Sequence, residues 1–78
     1  MQVRFAQSAR KHRIGRARAL HVLNTVNPVI IPATTYASER RTWIGRDDRG
    51  VELEIVGVVE PAYLLIIHVM PTQYRKKR

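Results

Sequence analysis

The sequence contains no cysteine. This absence excludes a disulfide framework, a thiolate zinc site and a cysteine nucleophile. No stretch offers the roughly 18 consecutive apolar residues that a membrane-spanning helix needs, and the N-terminal residues lack the continuous apolar run of a signal peptide. We therefore expect a cytoplasmic protein that does not enter a membrane.

Acidic residues are also scarce, since 6 Asp and Glu stand against 14 Lys and Arg in 78 residues, for a formal net charge of +8. A chain of this length builds one modest hydrophobic core. Its content of 45% hydrophobic and 26% charged residues is typical of folded proteins. We predict a single basic domain over residues 1–78, with a folded core over 1–74 and a basic tail over 75–78.

The charges fall in blocks. Residues 1–18 carry six cations and no acid, residues 19–38 carry no formal charge, and residues 75–78 are all cationic. Basic residues at the two ends of a chain form one patch if the fold brings the ends together, and such a patch is typical of proteins that bind polyanions. Clustered Lys and Arg favour nucleic acid in particular, because binding releases counterions. The alternatives are a solvated basic face with a loose tail, or an acidic protein partner.

The pattern of apolar residues predicts an α+β fold. Gln2 to Phe5 reads as a short strand, Ser8 as the N-cap of a small basic helix, and the residues from Ile14 to about Asn24 as a second, amphipathic helix. Strand-like runs follow at 29–31, 41–44, 51–59 and 63–70, and Asp47-Asp48-Arg49-Gly50 predicts a hairpin turn between two of them. This order predicts two layers, in which a short N-terminal strand and two helices precede a three- to four-stranded antiparallel sheet.

Two segments resemble a known family. Lys11-His12-Arg13-Ile14, and later Arg41-x-Trp43-Ile44-Gly45-Arg46-Asp47-Asp48-Arg49-Gly50-x-Glu52-Leu53-Glu54-Ile55, resemble the BrnT-like proteins of the RelE superfamily and related small bacterial proteins with the same aromatic-Ile-Gly-Arg hairpin. The resemblance covers about residues 5–70. Two positions depart from it, because Arg13 stands where BrnT usually has Gly and His68-Val69-Met70-Pro71 replaces a Ser/Ala-Arg segment on the last strand.

The resemblance implies a RelE/BrnT-like fold and the toxin of a type II toxin–antitoxin pair. Such toxins are metal-independent endoribonucleases without a cofactor. They act on mRNA, and a small antitoxin protein holds them inactive. The partners implied are RNA, either free or as ribosome-bound mRNA, and a cognate small antitoxin, and the assembly implied is a homodimer or a toxin–antitoxin hetero-oligomer. The rival hypothesis is a small basic protein that binds nucleic acid or the ribosome without catalysis.

RNA cleavage without a metal needs a base for the 2′-hydroxyl, a cation for the charge on phosphate and an acid for the leaving oxygen. Histidine side chains titrate nearest to neutral pH, and the chain has three of them. We predict a catalytic site composed of His12, His68, Arg46 and Tyr74. We expect the third histidine, His21, which flanks the apolar stripe of the second helix near Ala17, to be a packing residue.

Each of these candidates has a structural alternative. His68 is alternatively a histidine in the core or at a sheet edge that is hydrogen-bonded to the backbone. His12 is alternatively an ordinary exposed helical residue. Arg46 is alternatively a brace that pairs with the acids of the turn, and Tyr74 part of a loosely packed terminus. We further expect burial of the single tryptophan, Trp43.

The remaining cations are the predicted RNA-binding residues. These are Arg10, Lys11, Arg13, Arg16, Arg18, Arg41, Arg75, Lys76, Lys77 and Arg78. Glu52 and Glu54 share one strand face and read as solvent-facing residues that keep the strand soluble. The spacing of the histidines does not predict a metal site.

Overall fold

The computed structural model of the chain describes residues 1–75. It contains five strands, one α-helix and two short 3-10 turns. In chain order they are β1 (Gln2–Phe5), the first 3-10 turn (Gln7–Arg10), α1 (Arg16–Thr25), β2 (Val29–Ile31), β3 (Arg40–Arg46), β4 (Glu52–Val59), β5 (Tyr63–Pro71) and the second 3-10 turn (Thr72–Tyr74). Within residues 1–75, no helix is long and apolar enough to span a membrane.

The strands form one sheet in the order β1-β5-β4-β3-β2. β1 pairs with β5 in parallel, and every other neighbouring pair is antiparallel. The helix α1 and the first 3-10 turn contact the same face of the sheet. The core lies between these layers, and Val22 of α1 is fully buried there with Leu53, Ile55 and Ile66 of the sheet. We call the sheet face that packs against α1 the covered face, and the opposite face the open face.

The prediction of two helices and an antiparallel sheet is wrong, although the chain is α+β. The sheet has five strands and is mixed. The first predicted helix is only the 3-10 turn Gln7–Arg10, and the chain leaves it through Arg13, whose φ of 57° is left-handed. A helical segment this short cannot offset the entropy cost of helix nucleation, and a left-handed residue cannot continue it.

The parallel edge strand was missed for a different reason. Alternation of apolar residues identifies β1 as a strand, but it contains no information about which strand is its partner. The N-terminal strand crosses the molecule to pair with β5, with Gln2 opposite Tyr63 and Phe5 opposite Ile66. This pairing brings the basic segment after β1 alongside the C-terminal half of β5.

The predicted hairpin between β3 and β4 is confirmed. Gly50 has a φ of 80°, the Asp47 N–H donates to the Val51 carbonyl over 2.9 Å, and the Gly50 N–H donates to the Asp47 carbonyl over 3.1 Å. Glycine is favoured there because a Cβ strains a left-handed backbone. Trp43 on β3 is buried, as expected.

Candidate active site

An irregularity in β5 determines which face of the sheet carries His68. Val56 is opposite His68 and Gly57 is opposite Ile66, so the register shifts by one residue between them. Simple alternation predicted that His68 shares a face with Ile66, which is fully buried. That prediction is wrong, because the β-bulge turns His68 to the open face, and Val69 takes the next core position.

His68 pairs with a carboxylate on the neighbouring strand. Its Nε2 lies 3.1 Å from Oε2 of Glu54. The other oxygen of Glu54, Oε1, accepts from Nε and Nη2 of Arg75 over 3.0 and 2.6 Å. The side chains of His68 and Glu54 are 34% and 22% exposed, so solvent and ligands reach the pair from one side. Glu54 therefore connects the last strand with the chain that follows it.

The ring of His12 lies near those of His68 and Tyr74. Its ring centroid is 6.4 Å from that of His68, with an interplanar angle of 84°, and 5.9 Å from that of Tyr74. The Ser8 hydroxyl donates to the Ile67 carbonyl over 2.8 Å and so attaches the first 3-10 turn to β5 at the bulge. This attachment positions the chain that leads to His12.

We refer to His12, Glu54, His68, Tyr74 and Arg75 as the histidine cluster. It brings together three of the four predicted catalytic residues, which come from three separate parts of the chain. The imidazole of His68 and the guanidinium of Arg75 bind the carboxylate of Glu54, and the imidazole of His12 lies near the rings of His68 and Tyr74. The cluster thus contains groups that can accept a proton, donate a proton and bind an anion.

Arg46 does not belong to the histidine cluster. It lies on β3, where its Cα partner is Glu52, so that β4 separates it from β5. Its Nη1 donates to the Gly50 carbonyl over 2.8 Å. Arg46 braces the turn, although through a backbone carbonyl and not through the acids Asp47 and Asp48 that the sequence suggested.

Asp47 is the buried acid of that turn, with only 4% of its surface exposed. Its carboxylate accepts from Nε of Arg18 over 2.6 Å and from the N–H groups of Arg49 and Val51 over 2.8 and 2.9 Å. Burial alone raises the pKa of Asp47, but these hydrogen bonds and the charge of Arg18 outweigh burial and lower its pKa below the ordinary value. The pair attaches α1 to the hairpin.

The predicted RNA-binding cations divide into paired and unpaired groups. Arg18 pairs with Asp47, Arg41 with Glu39 over 2.6 Å, and Arg75 with Glu54. Among the ion pairs of residues 1–75, none includes Arg10, Lys11, Arg13 or Arg16, and all four are exposed. Lys76, Lys77 and Arg78 lie outside the described residues. Four of the predicted RNA-binding cations thus form no ion pair within residues 1–75, and they lie at residues 10–16 with His12 among them. Other cations without an ion pair lie elsewhere, namely Arg4, Arg40, Arg46 and Arg49.

Sequence reasoning missed Glu54, which it placed in solvent beside Glu52. The β4–β5 hairpin alone does not reveal it, because regular pairing outward from Glu60-Pro61-Ala62 sets Glu54 opposite Val69 and leaves His68 on the other face. The register shift between Val56 and Gly57 brings Glu54 and His68 to the same face. Glu52 instead accepts from the Thr72 hydroxyl over 2.7 Å.

His21 is exposed on α1 and lies outside the cluster, so its predicted packing role is wrong. Residues 1–75 contain no group of three side chains suited to a metal ion.

The resemblance to BrnT-like proteins rests on the sequence motifs alone. Comparison of the chain with protein-family models, curated proteins and solved structures finds no match.

Proposed function

We propose that this chain is a metal-independent endoribonuclease acting on mRNA, and that it works in the cytoplasm as the toxin of a type II toxin–antitoxin pair. The observation that carries the proposal is the contact of His12 with His68 and Tyr74 beside a group of unpaired cations. The reaction requires at least two side chains that can exchange protons, next to cations that can bind the phosphate.

The reaction needs no external reagent. One histidine takes the proton of the ribose 2′-hydroxyl, whose oxygen attacks the adjacent phosphorus. The bond from phosphorus to the 5′-oxygen of the next nucleotide breaks, and the second histidine protonates that oxygen. The products are a 2′,3′-cyclic phosphate and a free 5′-hydroxyl, so atoms and protons balance. Cations near the phosphate stabilise the charge that develops there.

The partners of the two histidines differ, which favours different roles. Glu54 lies beside Nε2 of His68, and a carboxylate in that position keeps hydrogen on the nitrogen it faces. Nδ1 of His68 is then the atom left to exchange a proton with substrate. His12 has only aromatic neighbours in the cluster and follows two cations in the chain. We assign the base to His12 and the acid to His68, with Glu54 as a positioning residue.

The toxin role rests on the sequence resemblance and on charge. Arg13 departs from the resemblance, since BrnT usually has glycine there, but its backbone has the left-handed conformation that glycine favours. An antitoxin with acidic and apolar groups would cover the basic face. Binding of such a partner would also add stability to a small core.

The test compares three forms of the protein in a bacterial host: the wild type, the double variant His12→Ala/His68→Ala and the control His21→Ala. We expect growth arrest and fragmented RNA for the wild type and the control, and neither for the double variant. Purified protein should cleave RNA equally well with and without a chelator. Intact RNA and unimpaired growth from soluble wild-type protein would refute the proposal.

The second candidate is a non-catalytic RNA- or ribosome-binding protein, which the exposed cations of residues 10–16 also favour. RNA affinity separates the two candidates. An enzyme loses cleavage in the double histidine variant while its affinity for RNA changes little. A binding protein cleaves nothing in either form.

A further inference from the structure

A groove of about 510 Å³ is formed by Phe5, Gln7, Arg10 and Lys11. It is an open depression of the surface and not an enclosed cavity. Lys11 directly precedes His12, so the groove lies next to the histidine cluster. No acid lines it, and residues 1–18 as a whole contain none. The groove is thus a cationic depression adjoining the proposed reaction centre.

The lining combines three kinds of chemistry. Phe5 supplies an aromatic ring, and the guanidinium of Arg16, which lies outside the lining, is placed 4.9 Å over the centre of that ring. Arg10 and Lys11 supply positive charge that no ion pair within the described chain neutralises. The side-chain amide of Gln7 carries both donors and an acceptor, and Gln7 is exposed.

These groups match the three parts of a nucleotide. A base stacks on aromatic and guanidinium planes, its edge hydrogen-bonds to an amide, and its phosphate binds cations. The base must be unstacked from its neighbours to enter such a groove, so the matching ligand is single-stranded RNA and not a duplex.

We propose that this groove binds the nucleotide adjoining the phosphate that is cleaved, and that Gln7 is a specificity-determining residue which selects the base. Arg10 and Lys11 hold the phosphate of that nucleotide, and Phe5 with Arg16 supports the base. The inference rests on the proposed ribonuclease function, because the histidine cluster defines which phosphate is cleaved.

Binding can be measured apart from cleavage. The probes are the four ribonucleoside 5′-monophosphates and ribose 5-phosphate, titrated into the His12→Ala/His68→Ala variant and followed by amide chemical shifts. We expect the largest shifts at residues 5–11 and at least one nucleotide bound about tenfold or more tighter than ribose 5-phosphate. Equal affinity for ribose 5-phosphate and all four nucleotides, or shifts centred on other elements, would overturn the inference.

Variants of the active protein test the individual roles. Arg10→Ala and Lys11→Ala should each raise KM for RNA about tenfold with little change in kcat, and should each reduce the salt slope of binding by about 0.7. The matched control is Arg40→Ala, which removes an exposed cation on β3. Thermal melts establish that each variant is folded. An equal rise in KM for Arg40→Ala would mean that the positive charge of the whole protein attracts RNA, and that the groove does not bind it specifically.

Gln7→Ala tests base selection. RNAs that differ in one base beside the cleaved bond should differ less in kcat/KM with this variant than with the wild type. The value of kcat/KM for the poorest of these RNAs should stay the same. An unchanged ratio would overturn the role of Gln7. RNA cleavage without nucleotide binding in the groove refutes this inference alone. Nucleotide binding in the groove by a wild-type protein that leaves RNA intact refutes the ribonuclease proposal, and with it the link to a cleaved phosphate.

Discussion

Nε2 of His68 lies 3.1 Å from Oε2 of Glu54, across the antiparallel pairing of β4 and β5. The contact exists because a β-bulge turns His68 away from the core. Glu54 is in turn held by Arg75, whose Nη2 donates to Oε1 over 2.6 Å. One oxygen of the carboxylate therefore contacts His68 and the other is held by Arg75, so that the carboxylate can orient the imidazole.

Glu54→Gln should lower kcat for RNA cleavage by about tenfold to a hundredfold while KM changes little. The reason is that the amide retains the shape of the side chain but loses the charge that orients His68 and holds Arg75. Single-turnover and steady-state kinetics on one RNA substrate measure both constants.

The chain offers a matched control for this experiment. Glu52→Gln changes the same residue type on the same face of β4, where Glu52 contacts Thr72 and neither histidine. It should leave kcat within about twofold of the wild type. Equal losses for the two variants would mean that Glu54 acts through general electrostatics or stability and does not position His68.

Several elements of the fold follow from local sequence signals. The turn Asp47–Gly50 is such a case, because Gly50 and the flanking strand patterns specify a hairpin within a few residues. Burial of Trp43 is another, since a small domain with one tryptophan rarely leaves it in solvent. Signals of this kind depend on neighbouring residues only.

The elements that were mispredicted depend on distant contacts. The partner of β1 is a strand about sixty residues away, and the bulge at Ile67 involves the register with β4 and the hydrogen bond from Ser8 of the first 3-10 turn. The candidate site shows the same division. Residue chemistry singled out His12, His68 and Tyr74, which the structure brings together, whereas the contact of Glu54 and the position of Arg46 outside the histidine cluster depend on the strand register.

Gly45→Ala should destabilise the protein by about 1–3 kcal/mol. A Cβ at this position would lie 2.7 Å from Cγ1 of Val26, where the end of α1 approaches β3. The crowding must push the helix away or distort the strand, because both neighbours are packed. Chemical denaturation measures the loss in the free energy of unfolding.

Gly15→Ala is the control for crowding. A Cβ on Gly15 would meet nothing within 4 Å, and its φ of −68° suits any residue. We expect a change below about 1 kcal/mol there, from loss of a favourable N-cap residue alone. A similar destabilisation at both glycines would contradict the steric explanation.

Arg13→Gly should stabilise the fold by about 0.5–1 kcal/mol. Arg13 has a φ of 57°, and a residue with a Cβ loses about 1–2 kcal/mol in that conformation. Glycine removes this strain but returns part of the gain through its greater freedom in the unfolded chain. Arg13→Ala removes the same charge and keeps the Cβ, so it should not stabilise. Thermal or urea unfolding of both variants distinguishes relief of strain from loss of charge.

Asp47→Asn should lower the free energy of unfolding at pH 7 by about 3 kcal/mol. The reason is that the guanidinium of Arg18, which is mostly buried, loses its charged partner. Asp48→Asn, on the exposed neighbour, is the control and should change stability by under about 0.5 kcal/mol.

The difference in the free energy of unfolding between wild type and Asp47→Asn should decrease as the pH falls. The pKa of Asp47 is lower in the folded protein than its ordinary value, so the ionised carboxylate stabilises the fold throughout the range above the unfolded pKa, near about pH 4. As the pH falls through the folded pKa, the carboxylate takes up a proton and this stabilisation is lost. Urea titrations between neutral pH and about pH 3 should therefore show the wild type losing stability faster than Asp47→Asn, with the two curves converging. Parallel curves would mean that Asp47 has the same pKa in both states and that the Arg18 pair does not contribute to acid sensitivity.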